Sequence, residues 1–241
     1  MPNENRLKKK RKIDIVFCMD GTRSMAPCIE NVKTNIKHFY EDFVKEMTEK
    51  GDDIDALRVK TIVFRDYKPG NEAIKKSVDA MEVDDSWYEL PDDTADFEKR
   101  LSEIRAAGGV GQDANGLEAL YLAMKSDFVM GPHDRQVIVL FADTDTLPLL
   151  KRAGCQGYPE GMVDDVAFED AWFCKSQDPA VKLREKNKRL VIFAPSGTRY
   201  EKWKAKLNRS VFEPVAISKG LAEIDFEGII KILAASASSN S

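Results

Sequence analysis

Short apolar runs recur along the chain and are separated by stretches in which polar and apolar residues mix. Four runs stand out, at residues 13–19 (IDIVFCM), 57–64 (LRVKTIVF), 136–142 (QVIVLFA) and 189–194 (RLVIFA). They are rich in β-branched residues and lack strict polar–apolar alternation, which is typical of strands buried on both faces. A weaker run at residues 211–217 predicts a further strand.

Between these runs, apolar residues recur three or four positions apart. The clearest case is the segment 29–47, where the spacing predicts an amphipathic helix whose buried face holds Ile29, Val32, Ile36, Phe39, Phe43 and Met47. Similar spacing predicts helices at residues 92–107, 116–124 and 226–234. Residues 148–179 are predicted to form a long loop with one helix.

Strands that alternate with helices predict a doubly wound α/β fold. We expect a Rossmann-like, mostly parallel six-stranded sheet with helices on both faces. Residues 74–78 should add an antiparallel edge strand, because a short connection precedes them. No internal repeat or linker divides the chain. Residues 13–234 are therefore predicted to form one domain, after a basic flexible leader at residues 1–12 and before a disordered tail at residues 235–241.

Composition narrows the classes of function. The chain has 241 residues, of which 43% are hydrophobic, so it can bury a substantial core. Its formal net charge of -4 argues against a general nucleic-acid binder, which needs excess clustered Lys and Arg. No stretch approaches the roughly 18 apolar residues that span a membrane. The basic start is not followed by a cleavage site, so neither a membrane span nor a signal peptide is expected.

Cysteines and charge clusters suggest few further sites. No CxxC pair occurs, so the four cysteines are interpreted as reduced thiols of a cytoplasmic protein rather than zinc ligands: Cys18, Cys28, Cys155 and Cys174. The basic cluster at residues 8–12 is interpreted as a solvated leader, with a targeting or polyanion-binding tag as the alternative. Four acids are interpreted as solvated loop charges: Asp84, Asp85, Asp92 and Asp93.

A cluster of oxygen-bearing side chains follows the first predicted strand. Asp20 comes directly after it, and Thr22 and Ser24 follow at alternate positions, with Gly21 allowing a sharp turn. Ligands of open α/β sheets bind beyond the carboxyl ends of the strands, where the strand order reverses. Carboxylate and hydroxyl oxygens are suited to hard cations such as Mg²⁺. Asp143, which directly follows the strand at residues 136–142, is the second candidate carboxylate.

These segments resemble the von Willebrand factor A family. Residues 20–24 read D-G-T-R-S and match the Asp-x-Ser-x-Ser motif that opens the family's metal-ion-dependent adhesion site, within a longer similar stretch, IDIVFCMDGTRSM. The loop AAGGVGQDANGLEAL and the FRDY at residues 64–67 are similar to bacterial intracellular members related to tellurite-resistance proteins. The family adds a Thr or Asp from that loop. This chain has no Thr there, so the resemblance implies Asp113, or Gln112 in its place.

The resemblance implies a metal site and a binding function. The implied ligands of Mg²⁺, with Mn²⁺ or Ca²⁺ as alternatives, are Asp20, Thr22, Ser24, Asp113 and Asp143. Asp66 would lie near the ion without binding it directly. A partner protein would complete the coordination with an Asp or Glu carboxylate. We therefore expect a non-enzymatic adaptor domain in a cytoplasmic complex.

Two alternatives remain open from the sequence. The first is a hydrolase that uses the same ion as a Lewis acid, although no convincing general base accompanies it. His38 and His133 are the only histidines, both interpreted as surface residues, and no paired nucleophile is evident. The second is a structural interaction domain that binds no metal.

Overall fold

The computed structural model describes residues 9–67, 78–108, 113–215 and 226–238. These residues contain nine strands: β1 (Lys9–Asp20), β2 (Asp52–Phe64), β3 (Met81–Val83), β4 (Tyr88–Leu90), β5 (Asp113–Ala114), β6 (Arg135–Phe141), β7 (Asp145–Thr146), β8 (Lys188–Ala194) and β9 (Ser210–Pro214). Seven of them form one sheet in the order β3-β2-β1-β6-β8-β9, with β4 also paired to β2. The short strands β5 and β7 form a separate parallel pair.

The described residues confirm the doubly wound, mostly parallel α/β fold. The five long strands β2, β1, β6, β8 and β9 are all parallel. The antiparallel edge consists of two three-residue strands, β3 and β4, which pair with successive parts of β2. The sheet therefore has seven strands in these residues rather than the predicted six. The edge strand predicted at residues 74–78 lies outside the described residues except for Val78, which is not in a strand.

Six helices cover the two faces in the described part of the chain: α1 (Ala26–Glu49), α2 (Thr94–Glu103), α3 (Gly116–Met124), α4 (Asp165–Trp172), α5 (Arg199–Lys206) and α6 (Phe226–Ser238). One core lies between the sheet and α1, α2 and α6. The other lies between the sheet and α3, α4 and α5. None of these helices is long and apolar enough to cross a membrane.

Strand β1 explains why the predicted runs lack alternation. Ile15 and Phe17 point into the first core, while Val16 and Cys18 point into the second. Because both faces are covered, successive residues are all apolar.

Both ends of the predicted domain need correction. Strand β1 begins at Lys9, so residues 9–12 belong to the sheet rather than to a flexible leader. Arg11 is buried. Its guanidinium is paired with Asp52 and donates to the carbonyl of His133, which offsets the cost of burying its charge. Helix α6 continues to Ser238, so residues 235–238 are helical rather than part of a disordered tail. The basic charge of residues 9–12 and the low complexity of residues 235–238 suggested that both segments are solvated. Strand pairing orders the first segment, and helix formation orders the second.

The strand order reverses beside β1. The chain passes from β1 to β2 on one side, and the later strand β6 pairs with β1 on the other side. The carboxyl ends of β1 and β6 therefore flank the crevice where such sheets bind ligands. Asp20 ends β1, and Asp143 follows β6 by two residues.

Candidate functional site

The loop after β1 is organised around the Asp20 carboxylate. Asp20 is fully buried, and its Oδ1 accepts a hydrogen bond of 2.8 Å from the backbone N–H of Thr22. This local bond bends the chain directly after the strand. Residues Arg23–Met25 then form a single 3-10 turn that leads into α1, with Pro27 in the first turn of that helix. Proline suits this position because its missing N–H would have no partner within the helix.

Gly21 is required by close packing. A Cβ at this position would lie 2.6 Å from Val63 Cγ1 and 2.8 Å from Arg65 Cζ. Gly21 does not have the positive φ seen at other glycines of the described chain. The sharp-turn argument from sequence was therefore wrong for this residue, since the space beside β2, rather than the backbone conformation, excludes a side chain.

Arg65 holds the loop in place and was missed as a site residue. It is 2% exposed, and its Nε donates to the carbonyl of Gly21 at 3.0 Å. Its other nitrogens donate to the carbonyl of Arg105 at 2.6 Å and to the Glu82 carboxylate at 2.7 Å. One guanidinium thus ties the β1 loop to the segment after α2 and to the edge strand β3. The only sequence signal was its position directly after a buried strand.

Three hydroxyls line the same loop region. The oxygens of Thr22 and Ser24 lie 3.3 Å apart. The hydroxyl of Thr144, beside Asp143, donates to Asp20 Oδ2 at a long 3.5 Å. Thr144 was not predicted, although its place directly after Asp143 was a usable signal. It supplies a third hydroxyl where the predicted loop before α3 offers no threonine.

Asp143 lacks compensation for its charge. It is fully buried, and in the described part of the chain neither carboxylate oxygen has a hydrogen-bond partner. Burial raises the pKa of its carboxyl group, and the nearby Ser24 hydroxyl lowers it. A buried carboxylate without donors is costly, because it loses hydration and gains nothing in return.

The charges of Asp20 and Asp143 act on each other. Burial raises the pKa of Asp20 to about 7; the bonds from Thr22 oppose this rise, and the Asp143 charge adds to it. Burial, followed by the charges of Asp143 and Asp20, raises the pKa of the Cys28 thiol to about 12. The first turns of α1 and the two strand ends therefore share one buried, negatively charged region.

Solved structures share this fold. Two crystal structures of the pilus adhesin SpaC from Lactobacillus rhamnosus GG, one of them described as an open conformation, match with TM-scores of 0.53 and 0.52 at 11% and 13% identity. They cover 97% and 96% of this chain but 32% and 31% of the adhesin, so the chain spans about a third of that protein.

A third solved structure, proximal thread matrix protein 1 from the mussel byssus, matches with a TM-score of 0.45 at 15% identity, covering 93% of this chain and 46% of the other. No protein-family model and no curated protein matches the chain. At 11% and 13% identity, the likeness to the adhesin shows the fold alone.

Asp113 lies in a different cluster from the other predicted ligands. It pairs with Asp145 across β5 and β7, and its Oδ2 lies 3.7 Å from Arg199 Nη1. Arg199 also binds Asp145 through its backbone N–H at 2.7 Å and Nη1 at 3.0 Å. Burial and the Asp145 charge raise the pKa of Asp113. Gln112, its predicted substitute, lies outside the described residues.

Asp66 is likewise held by a cation of the protein. Its two oxygens accept from Arg152 Nε and Nη2 at 2.6 and 2.8 Å, a bidentate pair. In the described residues, no three Asp, Glu, His or Cys side chains are arranged to hold a metal ion. The structure brings together four of the five predicted ligands, namely two carboxylates and two hydroxyls: Asp20, Asp143, Thr22 and Ser24.

A buried tyrosine adjoins the site from the other face of the sheet. Tyr200, in α5, is fully buried, and its pKa is raised by burial and next by the Asp20 charge. A Cβ on Gly116 would lie 1.9 Å from its hydroxyl oxygen. The hydroxyl therefore rests against the first residue of α3, and it has no hydrogen-bond partner in the described ranges. The absence of a side chain at residue 116 makes this approach feasible.

Proposed function

We propose that the chain is a domain of the von Willebrand factor A type that binds a partner protein through a divalent metal ion. Asp20, Thr22, Ser24 and Asp143 would hold Mg²⁺, with Mn²⁺ or Ca²⁺ as alternatives. Thr144 would orient Asp20 through its hydroxyl. Asp113, held by Arg199, is left out of the proposed ligand set.

The observation that carries this proposal is a pair of buried carboxylates without an ion-pair partner, for which the hydroxyls and the nearby Arg65 charge compensate only in part. Asp20 and Asp143 are both fully buried, and in the described residues no Lys, Arg or His forms an ion pair with either. Buried charges in proteins are normally paired or bind metals, because isolated burial costs several kcal/mol. A divalent cation between the two strand ends would remove this cost.

The composition of the ligand set favours capture of a carboxylate from outside. Two carboxylates and neutral hydroxyl oxygens balance the charge of Mg²⁺ but leave positions in its octahedral shell for other oxygens. An Asp or Glu of a partner could fill one of them. The bound ion would act as an electrophilic anchor for that carboxylate, and the chain's own residues would fix the ion and exclude water from its inner side.

We further propose an adaptor role in the cytoplasm. All four cysteines are free, and Cys174 is exposed, which accords with a reducing compartment. His38 is exposed on α1 and His133 is exposed beside the amino end of β6, so neither is placed at the carboxyl ends of β1 and β6 as a general base for the hydrolase alternative.

Calorimetric titration of chelator-stripped protein with Mg²⁺ and Mn²⁺ tests the metal site. We expect one saturable site in the wild type and its loss in Asp20→Asn and Asp143→Asn. No heat and no thermal shift with either metal would instead favour a metal-free interaction domain. Robust Mg²⁺-dependent cleavage of a phosphate ester, abolished in Asp20→Ala, would favour the hydrolase.

Capture of a carboxylate can be tested separately on the Mn²⁺-loaded protein. Acetate should displace a metal-bound water and lower the relaxation enhancement of the water protons. Acetamide, which has the same shape without the charge, should not. Equal responses to both compounds would contradict the proposed mode of partner binding while leaving metal binding intact.

A further inference from the structure

Basic side chains gather around an open cleft at the amino ends of the strands, on the edge of the sheet opposite to Asp20 and Asp143. The cleft has a volume of about 670 Å³. We call it the arginine cleft, and its basic lining residues are Arg11, His133, Arg135, Arg184, Lys186 and Arg209. They come from the start of β1, the start of β6 and the turns that precede β8 and β9.

Backbone carbonyls accept hydrogen bonds from three buried guanidiniums of this region. Arg135 Nε donates to the carbonyl of Ala237 at 2.7 Å, and the neighbouring Arg189 donates to that of Ser236 at 3.0 Å, both in the last turn of α6. Arg11 Nη1 donates to the carbonyl of His133 at 3.0 Å. These carbonyls fix the orientation of the guanidiniums at the amino ends of the strands.

Carboxylates near the cleft only partly offset this charge. Among the described residues that line the cleft, five are Arg or Lys and one, Glu185, is an acid. Glu185 lies 3.7 Å from Arg209 Nε but also pairs with Lys188. Asp52 pairs with Arg11 at 3.0 Å. Burial and the charges of neighbouring arginines lower the pKa of both Arg135 and Arg189 to about 10.

Arg209 adds an independent sign of a functional role. Its φ of 54° lies in the left-handed region, where a residue other than glycine is strained. Its backbone carbonyl accepts from the N–H of Leu190 at 3.1 Å, which sets the start of the pairing between β8 and β9. The side chain is 20% exposed at the cleft. Glycine would adopt this backbone conformation without strain, so the substitution of Arg209 can separate the side chain from the backbone.

We propose that the arginine cleft binds a small, multiply charged phosphate anion. Guanidinium groups match phosphate oxygens through paired N–H donors, and Arg is preferred over Lys for such recognition. In the described chain, the exposed side chains of Arg184 and Lys186 have no carboxylate partner, so they are free to close on an anion. The site lies on the opposite edge from the proposed metal site and works independently of it.

Titration with pyrophosphate at constant ionic strength, in the presence of a chelator, tests this proposal. We expect saturable binding that weakens at least about tenfold in Arg184→Gln/Arg209→Gln. The matched control is Lys37→Gln/Lys45→Gln, which removes two positive charges from the exposed face of α1. Equal weakening in both double variants, or no binding to the wild type, would overturn the proposal.

A single substitution separates binding from structure. Arg209→Gly relieves the left-handed strain, so its melting temperature should equal or exceed that of the wild type while pyrophosphate affinity falls. A fall in melting temperature with unchanged affinity would show that Arg209 serves the fold alone and would overturn its proposed role. Parallel titrations with inorganic phosphate and a nucleoside diphosphate identify the source: tighter binding of the nucleotide indicates a nucleotide ligand, and equal binding indicates recognition of the phosphates only.

Discussion

Asp20 and Asp143 are buried carboxylates that extend two adjacent parallel strands and raise the energy of each other's charged form. Asp143 accepts no hydrogen bond within 3.5 Å in the described residues, although the nearby Ser24 hydroxyl lowers its pKa. The two carboxylates are close because β1 and β6 are parallel neighbours, so their carboxyl ends lie at the same edge of the sheet. Without a cation this repulsion opposes folding, and the proposed Mg²⁺ would make the arrangement favourable. The sign of its effect on stability should therefore depend on metal.

Asp143→Asn tests that change of sign. In chelator, the substitution removes one of two like charges and provides an amide donor for Asp20, so we expect the free energy of unfolding to rise by about 1–2 kcal/mol. Saturating Mg²⁺ should stabilise the wild type, by about 2.7 kcal/mol at a hundred times Kd, and leave the variant unchanged. Urea unfolding with and without Mg²⁺ measures both effects.

Asp145→Asn is the control for this experiment. Asp145 lies two residues further on but is bound to Arg199, so its loss should lower stability in either condition. The response to Mg²⁺ should persist. If Asp143→Asn keeps a wild-type Mg²⁺ response, the metal does not sit between the two strand ends.

Gly21→Ala is expected to disturb the metal loop through packing. The new Cβ would meet Val63 and the guanidinium of Arg65, so the loop or the arginine must shift. We expect a loss of about 1–3 kcal/mol in stability and a weaker Mg²⁺ response. Thermal unfolding with and without Mg²⁺ measures both. Gly228→Ala is the control, because its Cβ would meet nothing within 4 Å and the residue is helical. Gly228→Ala should therefore be stabilised by Mg²⁺ as much as the wild type is. If Gly21→Ala is stabilised equally, this account is wrong.

The fold was largely predictable because burial on both faces leaves a continuous apolar run, as in β6. The antiparallel edge of the sheet was not predictable, because strands of three residues such as β3 and β4 are too short to show a pattern of polar and apolar positions. Asp84 was also misjudged as a solvated loop charge. It is buried, and it accepts from the Thr61 hydroxyl at 2.6 Å and from Arg100 at 2.5 Å. Those partners are brought to it only by tertiary packing.

In the candidate site too, residues that are close in sequence could be predicted, and residues brought together by tertiary packing could not. The proposed ligands at residues 20, 22 and 24 are close in sequence, so a local motif was enough to select them as candidates. Tyr200 reaches the region from a helix far along the chain, and nothing near it in sequence marks a site. Asp113 was chosen for its loop position, but its contacts depend on Arg199, which no local pattern could link to it.

Gly116→Ala tests the contact with Tyr200. Alanine is favoured over glycine in a helix by up to about 1 kcal/mol, yet here its Cβ would overlap the tyrosine hydroxyl. We expect a net loss of about 1–3 kcal/mol in the free energy of unfolding. Tyr200→Phe should itself cost at most about 1 kcal/mol, because the hydroxyl it removes makes no hydrogen bond within 3.5 Å in the described residues and only the nearby Thr146 side chain lowers its pKa. In the double variant the loss should shrink but not vanish, because the ring carbons Cζ and Cε1 of residue 200 would still lie 2.8 and 3.0 Å from the new Cβ. Additive losses in a double-mutant cycle would contradict the proposed clash.

Glu118 should make stability depend on pH in a defined direction. It is fully buried in α3, and burial raises the pKa of its carboxyl group from 4.5, while the hydrogen bond from Tyr158, at 2.9 Å, lowers it. A raised pKa in the folded state means that the folded protein holds the proton more tightly than the unfolded chain. Its contribution to stability therefore falls as pH rises through the interval between the two pKa values.

Glu118→Gln removes this titration while keeping an oxygen that can accept from Tyr158. Urea unfolding of both proteins from pH 4 to 8, in chelator, gives the difference in unfolding free energy. Titration of the other acids cancels in that difference to the extent that their surroundings are unchanged. We expect the unfolding free energy of Glu118→Gln, relative to that of the wild type, to increase as pH rises above 4.5 and then to become constant. Tyr158→Phe removes the hydrogen bond that lowers the pKa of Glu118. The decline of this variant's stability with pH should therefore extend to higher pH than in the wild type. A difference that is flat, or that shrinks with pH, would mean that Glu118 is ionised as readily in the folded chain as in the unfolded one.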